Sequence, residues 1–500
     1  MLYNIPAENT VMLYWDLPEN FKKGNRYRIM SENSAVGETE KCHFKVTNLS
    51  EKQRCHFSVF MVDDREYEEK IGEVVCETEK TKKKIDITKE PYNAVGDGKT
   101  LNTKCIQKAI DDCKFGECVY IPQGDFMTGA LRLHSDMELY LEKGAILHGT
   151  CDVKDYEPKI KSRFEGIEMM SYAGLINIGE LSHNGYTCRN VKILGEGTIY
   201  GGGLDLAENV IACEKVRLKD YLESLGDTAT EFERTKILPG RTRPRLINVS
   251  SAQNVVIGGI TISNGASWNV HMIYSDNIVT YGCSFQSKMV WNGDGWDPDS
   301  STNCVIFGCE FFTGDDAVAI KSGKNPEGNV INRPCEHIRV FDCISYAGHG
   351  VTIGSEMSGG ISDVRIWNCD LKTSLWGVEI KGTKKRGGYV RDVHVSYTDA
   401  CAVFVHSVSY NDDGETAGIA PVFENCRFEN MELTGIRYVA KLDEWNPCNA
   451  IEIVGFDEPG HFVKNIQFKN ITIDRNKEGK KQMISLQHCE GISFENLSCK

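Results

Sequence analysis

From residue 254 the sequence keeps returning to one pattern: NVVIGGITI (254–262), NIVTYGCSF (277–285), NCVIFGCEF (303–311), HIRVFDCIS (337–345) and DVRIWNCDL (363–371). It recurs later as NIQFKNITI (465–473) and GISFENLSC (491–499). Each copy is a turn residue, an apolar/polar alternation, a Gly, Asn or Asp corner and another apolar position. The first five copies start 23, 26, 34 and 26 residues apart. A unit of this length containing two or three short strands and no helix is the signature of a β-solenoid. The fold expected is all-β, a right-handed parallel β-helix whose coils stack at the ~4.8 Å strand spacing. Residues one coil apart in sequence are then neighbours in space.

The repeat is legible from about residue 190 onward. Ahead of it, KCIQKAIDDCKF (104–115) has apolar residues at helical spacing and is expected to cap the first coil, whose strand edges would otherwise lie open. Residues 205–236 interrupt the coils with a charged, partly helical insertion, either a cleft wall or a solvated excursion. Residues 1–84 read as a separate small β-sandwich of fibronectin type III kind, from the alternating runs TVMLYWDLP, NRYRIMSE, CHFKVTNL and CHFSVFMV. The charged stretch ETEKTKKKIDITKE links it to a β-helix domain over 85–500.

Bulk composition narrows the function. The chain has 500 residues, 41% of them hydrophobic and 26% charged, as in a soluble globular protein. A net charge of −14 argues against a nucleic-acid or anionic-membrane binder. No apolar run reaches the roughly 18 residues of a membrane span, and the first twenty residues lack the pattern of a secretory signal. The twenty cysteines are scattered, several within apolar strands (VIFGCEF, VRIWNCDL), and show no zinc-ligand spacing. Reduced thiols in a cytoplasmic protein are expected; removal of a signal would make it extracellular.

The chemistry concentrates in two short stretches. WNGDGWDPDSS holds Asp294, Asp297 and Asp299, and FFTGDDAVAIKSG (311–323) holds Asp315 and Asp316. Asp294 and Asp315 are 21 residues apart, close to one coil, so they can lie side by side. Any single Asp here suits a β-helix corner, but five in so short a span that can stack suggest a site. Clustered carboxylates raise one another's pKa, so one can stay protonated while another is ionised. Glycoside hydrolysis with inversion needs that division, with the two groups roughly 6.5–9.5 Å apart. Calcium binding is the alternative use of such a cluster.

These motifs resemble family 28 glycoside hydrolases, the polygalacturonases, over roughly residues 86–500. The family's Asn-Thr-Asp signature corresponds to Asn292-Gly293-Asp294, its Gly-Asp-Asp to Gly314-Asp315-Asp316, and its Gly-His-Gly to Gly348-His349-Gly350. YNAVGDGKTLNTKCIQKAI, VYIPQGDFMTGAL, NPEGNVINRP and GHGVTIGSEMSGG look like bacterial members, many of them exo-acting. The resemblance implies that Asp315 is the general acid and that Asp294 and Asp316 hold and deprotonate water. It also implies that His349 sets their protonation and that Asn292, Lys381 and the residue at the fourth signature, Glu379, contact substrate. The fourth signature departs: Arg-Ile-Lys is Glu379-Ile380-Lys381 here. Either Glu379 pairs with a neighbour such as Lys381, or a subsite beside it takes a neutral sugar such as rhamnose. Lys384, Lys385 and Arg386 could restore positive charge nearby or simply form a solvated loop.

The expected function is therefore an inverting, exo-acting hydrolase of α-linked galacturonate in pectic oligosaccharides, requiring no metal or other cofactor. A rhamnogalacturonan-directed hydrolase is the alternative. A calcium-dependent pectate lyase and a non-catalytic carbohydrate-binding β-helix are more distant ones. Oligomeric state is not legible.

Overall fold

The computed structural model of the protein describes residues 1–226, 238–410, 414–440, 442–474 and 483–500. The chain forms two compact units, Met1–Lys84 with Gly116–Cys118, and Ile85–Phe115 with Val119–Lys500. The first unit has two antiparallel sheets. One holds Leu2–Pro6, Val11–Trp15 and His43–Val46, and the other holds Arg26–Ser31, Ser34–Thr39, Arg54–Val62 and Glu68–Glu77. Alternating residues of these strands, Val11, Leu13, Trp15, Ile29, Phe57 and Val59 among them, are buried between the sheets.

The second unit is a right-handed parallel β-helix. Successive coils pair strand on strand in parallel, so equivalent residues form columns. One interior column runs Val255, Ile278, Cys304, Ile338, Val364, Val393, Cys426 and Ile466, each residue in register with the next. All eight are buried. The two cysteines in it serve as small hydrophobes, as their apolar sequence neighbours indicate.

The turn residue that opens each sequence repeat has a conformational reason. Asn254, Asn277, Asn303, His337 and Asp363 have φ of +59°, +54°, +52°, +59° and +48°. This left-handed conformation is one that Asn and Asp tolerate better than most residues. Their side chains also bond from rung to rung. Asn254 Nδ2 donates to Asn190 Oδ1 (2.9 Å) and Asn277 Nδ2 to Asn254 Oδ1 (2.8 Å). The Asn430–Asn470–Asn496 ladder repeats this at 2.9 Å per step.

The coils begin well before residue 190. Gly124–Thr128 already pairs with Ala145–Gly149, and Met137–Leu141 with Cys188–Gly195. The period is hidden because insertions swell two coils. Asp136 and Asn190 are neighbours 54 residues apart, and Asn190 and Asn254 are 64 apart. The first insertion is an antiparallel hairpin, Ile160–Phe164 with Ile167–Ser171. The second carries helices Gly203–Arg217 and Lys219–Leu225, while the remainder of the insertion, 227–236, lies outside the described residues. The longer helix packs inward through Leu206, Ala207, Val210 and Ile211. Its buried Glu214 pairs with Lys159 (2.6 Å) at the foot of the hairpin, so this helix is a support, whereas Lys219–Leu225 buries no side chain.

The helix Thr103–Asp112 buries Ile106, Ala109 and Ile110 in the β-helix core. Gln107 completes the edge of strand Leu131–Leu133. Its Oε1 accepts from the Arg132 amide (2.9 Å) and its Nε2 donates to the Arg132 carbonyl (3.0 Å). An edge paired in this way offers no template for another strand.

If the left-handed turn matters independently of the ladder, the two are separable at one position. Asn277→Gly keeps the backbone conformation and loses only side-chain bonds, whereas Asn277→Ala loses both. Urea denaturation is expected to show the alanine variant less stable than the glycine variant by about 1 kcal/mol. Equal losses would show that the backbone conformation contributes nothing.

Candidate active site

Five consecutive strands of the shorter sheet build the site: Val270–Ile273, Trp296–Asp299, Val318–Ile320, Gly350–Ile353 and Gly377–Thr383. Trp296, Val318, Ile320, Val351, Ile353, Val378 and Ile380 point into the core. With a period of two, their alternates face the other way. Register sets His271 beside Asp297, Ala319 beside Thr352 and Thr352 beside Glu379, while Asp299 bridges to Lys321. The corners leading into these strands are stitched by main-chain bonds. The Asn269 amide donates to the Asp294 carbonyl, the Gly295 amide to Asp316 and the His349 amide to Asp315, each at 2.9 Å. The two stretches separated by 21 residues are thereby brought together.

Asn292, Asp294, Asp315, Asp316, His349 and Lys381 line one cleft of about 280 Å³. His349 Nδ1 lies 2.9 Å from Asp315 Oδ1 and 3.1 Å from Asp316 Oδ1, and the Thr352 hydroxyl donates to the same Asp316 oxygen (2.7 Å). Lys321, which reading the sequence passed over, stands among buried acids: Nζ is 3.3 Å from Glu356, 3.7 Å from Asp294 and 3.9 Å from Asp297. It also lies 4.7 Å from the centre of the Trp268 ring. Asn292 accepts from Arg243 Nη2 (2.7 Å), which fixes its carbonyl oxygen.

Glu379 does not line the cleft. It lies at the flank of Lys381, 3% exposed, with Oε2 2.9 Å from Lys381 Nζ and Oε1 2.8 Å from His406 Nε2. Of the two readings of this departure from the fourth signature, the geometry takes the first: Glu379 pairs with its neighbours. The basic loop divides. Arg386 is buried in the cleft wall, bonded to Asn325 Oδ1 (2.6 Å) and the Ser355 carbonyl (2.9 Å). Lys384 is exposed and reaches Glu458 (3.2 Å).

The electrostatics separate the acids. Burial, then the charges of Asp297 and Asp315, push the Asp294 carboxyl well above the ordinary carboxylate range. Burial likewise raises Asp297 to about 8, against the pull of Lys321. At Asp316 burial is outweighed by Lys381, His349 and Lys321, which hold the carboxylate ionised far below its usual value. Burial is again overcome at His349, which Asp315 and Asp316 raise to about 10. At neutral pH the cleft thus presents an ionised Asp316 bonded to an imidazolium, beside an Asp294 carboxyl that burial and its acidic neighbours make hold its proton more tightly than usual.

One side of the cleft is closed from far away in sequence. Glu165, at the tip of the hairpin Ile160–Ser171, lines it and pairs with Arg241 (2.9 Å). The adjacent Gly166 carbonyl accepts from the Lys324 amide (3.0 Å), and Glu327 Oε1 accepts from the Glu168 amide (2.8 Å). Among the described residues one group of three could hold a metal: Asp315, Asp316 and His349 bring donor atoms within 4.8 Å of one another. His349 Nδ1 already serves both carboxylates, so the set is satisfied internally.

The family model for glycosyl hydrolases family 28 matches residues 149–401, a span that holds the whole carboxylate cluster. A probable polygalacturonase of Vitis vinifera is 31% identical over 422 residues, covering 80% of this chain and 77% of its own length. An exo-poly-alpha-D-galacturonosidase of Dickeya chrysanthemi is 28% identical over 457 residues, 85% of this chain and 73% of its own. The solved family 28 exopolygalacturonase of Yersinia enterocolitica superimposes with a TM-score of 0.80 at 22% identity, covering 99% of this chain and 96% of its own, and so shares the fold. The protein is a β-helical glycoside hydrolase. It belongs to glycosyl hydrolase family 28.

The buried proton on Asp297 gives a pH test. Its folded-state pKa, about 8, lies above the ordinary 3.8. The stability gained by holding that proton is therefore complete below pH 3.8 and is lost as pH rises through 8. Thermal unfolding should show Tm falling as pH rises from about 4 to 8 and levelling off above that, and Asp297→Asn should flatten that fall. An unchanged slope in the variant would place the ionisation elsewhere.

Proposed function

We propose that this family 28 enzyme is an inverting exo-hydrolase that releases galacturonate from the ends of α-linked pectic oligosaccharides. The observation that carries the reading is the Asp315–His349–Asp316 hydrogen-bonded set facing buried Asp294 within one cleft. Asp315, half-buried at the cleft and 2.9 Å from His349 Nδ1, is the general acid: it takes up the imidazolium proton and passes it to the glycosidic oxygen as the bond to the leaving sugar breaks. Asp316 is the base for water, because neighbouring cations keep it ionised. Asp294 holds the water from the adjacent rung. Protonated His349 fixes the acid and the base relative to each other. The names of the relatives from Vitis vinifera and Dickeya chrysanthemi support galacturonate as the sugar.

Exo action is supported by the Ile160–Ser171 hairpin, which shuts the cleft on one side and leaves room for a chain end rather than a continuous chain. Lys321, Lys324, Lys381 and Arg386 give the cleft cations for a uronate carboxylate. The pairing of Glu379 with Lys381 and His406 favours a uronate over a neutral sugar at that position, since Glu379 no longer faces substrate as an isolated charge. A reducing, cytoplasmic setting belongs to the same proposal. It is supported by the buried thiols of Cys283, Cys309 and Cys369, each of which donates to a main-chain carbonyl at 3.3–3.4 Å.

An NMR time course with oligogalacturonides and, in parallel, rhamnogalacturonan oligomers tests the reading. The expected first product is monomeric β-galacturonate, formed equally well with chelator present. Asp315→Asn should lower kcat by about 10²–10⁴. An unsaturated product that requires calcium would overturn the hydrolytic mechanism, and preference for the rhamnogalacturonan oligomers would overturn the substrate.

A further inference from the structure

The outward column that carries the active site continues past the hairpin. Arg132 is in register with Asn177, Asn177 with Asn248, Asn248 with His271 and His271 with Asp297. The hairpin lies across the middle of this column. Ser162 donates to Asn248 Oδ1 (3.3 Å), Phe164 stacks on Trp268 at 5.0 Å, and Arg163 Nη1 pairs with Asp299 (2.9 Å). Beyond it lies a second cavity of about 330 Å³, larger than the active-site cleft. At one strand spacing per rung, Arg132 is about 19 Å from the Asp297 rung.

Arg132 and Asn177 form the floor of this cavity. The hairpin's first residues, Lys159 to Lys161, and the loop Gly179–Leu181 form its walls. Lys159 is committed to Glu214 (2.6 Å) and to the face of Tyr172 (4.5 Å). Arg132 and Lys161 are exposed, and among the described residues neither has an ion-pair partner. They stand against one lining carboxylate, Glu180, in a protein whose net charge is −14. Ile160 and Leu181 add an apolar patch suited to the C–H face of a sugar ring.

We propose that this cavity is a second, non-catalytic binding site for uronate-bearing oligosaccharide. Arg132 takes the sugar carboxylate through its planar fork, and Lys161 adds a point charge. The choice of uronate rests on the substrate reading given above. Because the hairpin separates the two pockets, one extended chain does not run straight through both. The second site holds further substrate near the cleft and raises its effective concentration there.

The two sites differ physically in a way that binding can read. Arg132 and Lys161 are exposed, so salt screens them, whereas Lys321 and Lys381 act from within the protein and are screened much less. Calorimetric titration of full-length Asp315→Asn enzyme with trigalacturonate should show two binding events. Roughly 0.5 M salt should abolish one of them. Adding Arg132→Ala and Lys161→Ala should abolish the same one, Arg132→Lys should weaken it less, and a neutral galactose trisaccharide should bind at neither site. In otherwise wild-type enzyme the double alanine variant should keep kcat/KM on trigalacturonate and lose activity several-fold on long polygalacturonate. One binding event in the Asp315→Asn enzyme, or two that survive the double substitution, would overturn the second site. No binding at all would overturn the pectic reading as well.

Discussion

The structure depends on the register of one coil on the next. Parallel strands stacked at about 4.8 Å turn a linear sequence into columns, and a slip of a single residue would exchange the two faces of a strand. In the shorter sheet such a slip would drive Asp297, Thr352 and Glu379 into the core and expose Trp296, Val351 and Val378. Three features oppose it: the apolar columns, the left-handed corners and the side-chain ladder that joins Asn190, Asn254 and Asn277. The ladder pins register directly, because each amide bonds only to its counterpart on the adjoining rung. The active site is a consequence of that alignment rather than a feature added to it.

The register concentrates negative charge, and the cleft must compensate for it. Asp294, Asp297, Asp299 and Asp316 are all nearly inaccessible to solvent. Leaving buried carboxylates unpaired is strongly unfavourable. Each is handled differently. Asp299 takes Arg163 as partner, Asp316 takes His349 and Thr352, and burial makes Asp294 and Asp297, beside Lys321, hold their protons more tightly. This uneven treatment keeps four neighbouring carboxylates from all carrying charge at one pH. Glu379 follows the same logic at the next rung, where an acid between Lys381 and His406 completes a charge pair.

Much of this was legible in the sequence wherever the period was undisturbed. Between Asn254 and Leu371 the repeat shows, and with it the meeting of Asp294 with Asp315 and Asp316. Ahead of residue 190 the period is masked by the hairpin, and between Asn190 and Asn254 by the helical insertion, so the early coils could not be counted. Lys321 lay within the stretch that drew attention to the aspartates. A lysine ending an apolar strand reads as a residue reaching solvent, and only the neighbouring rungs reveal the acids around it. Glu165 gave no signal, because its approach to the cleft depends on a long-range fold of the hairpin. Arg386 was ambiguous between a cleft cation and a solvated loop charge. The deciding partners, Asn325 and Ser355, are 61 and 31 residues away.

A solenoid makes function adjustable at its corners. Each coil contacts mainly its neighbours, so an insertion at one corner leaves the register of the others intact. The hairpin Ile160–Ser171 uses that freedom and has two effects at once. Its tip, Glu165 and Gly166, closes the cleft, and its foot, Lys159 to Lys161, walls the basic cavity on the far side. The hairpin crosses the outward column between Asn177 and Asp297, where Ser162 bonds Asn248 and Phe164 stacks on Trp268. With Arg163 anchored on Asp299 and Glu214 holding Lys159, the barrier is tied to the β-helix at both ends. A single insertion thus stands between the acidic cleft and the cationic cavity, while the rungs that line the cleft keep the geometry that the register gives them.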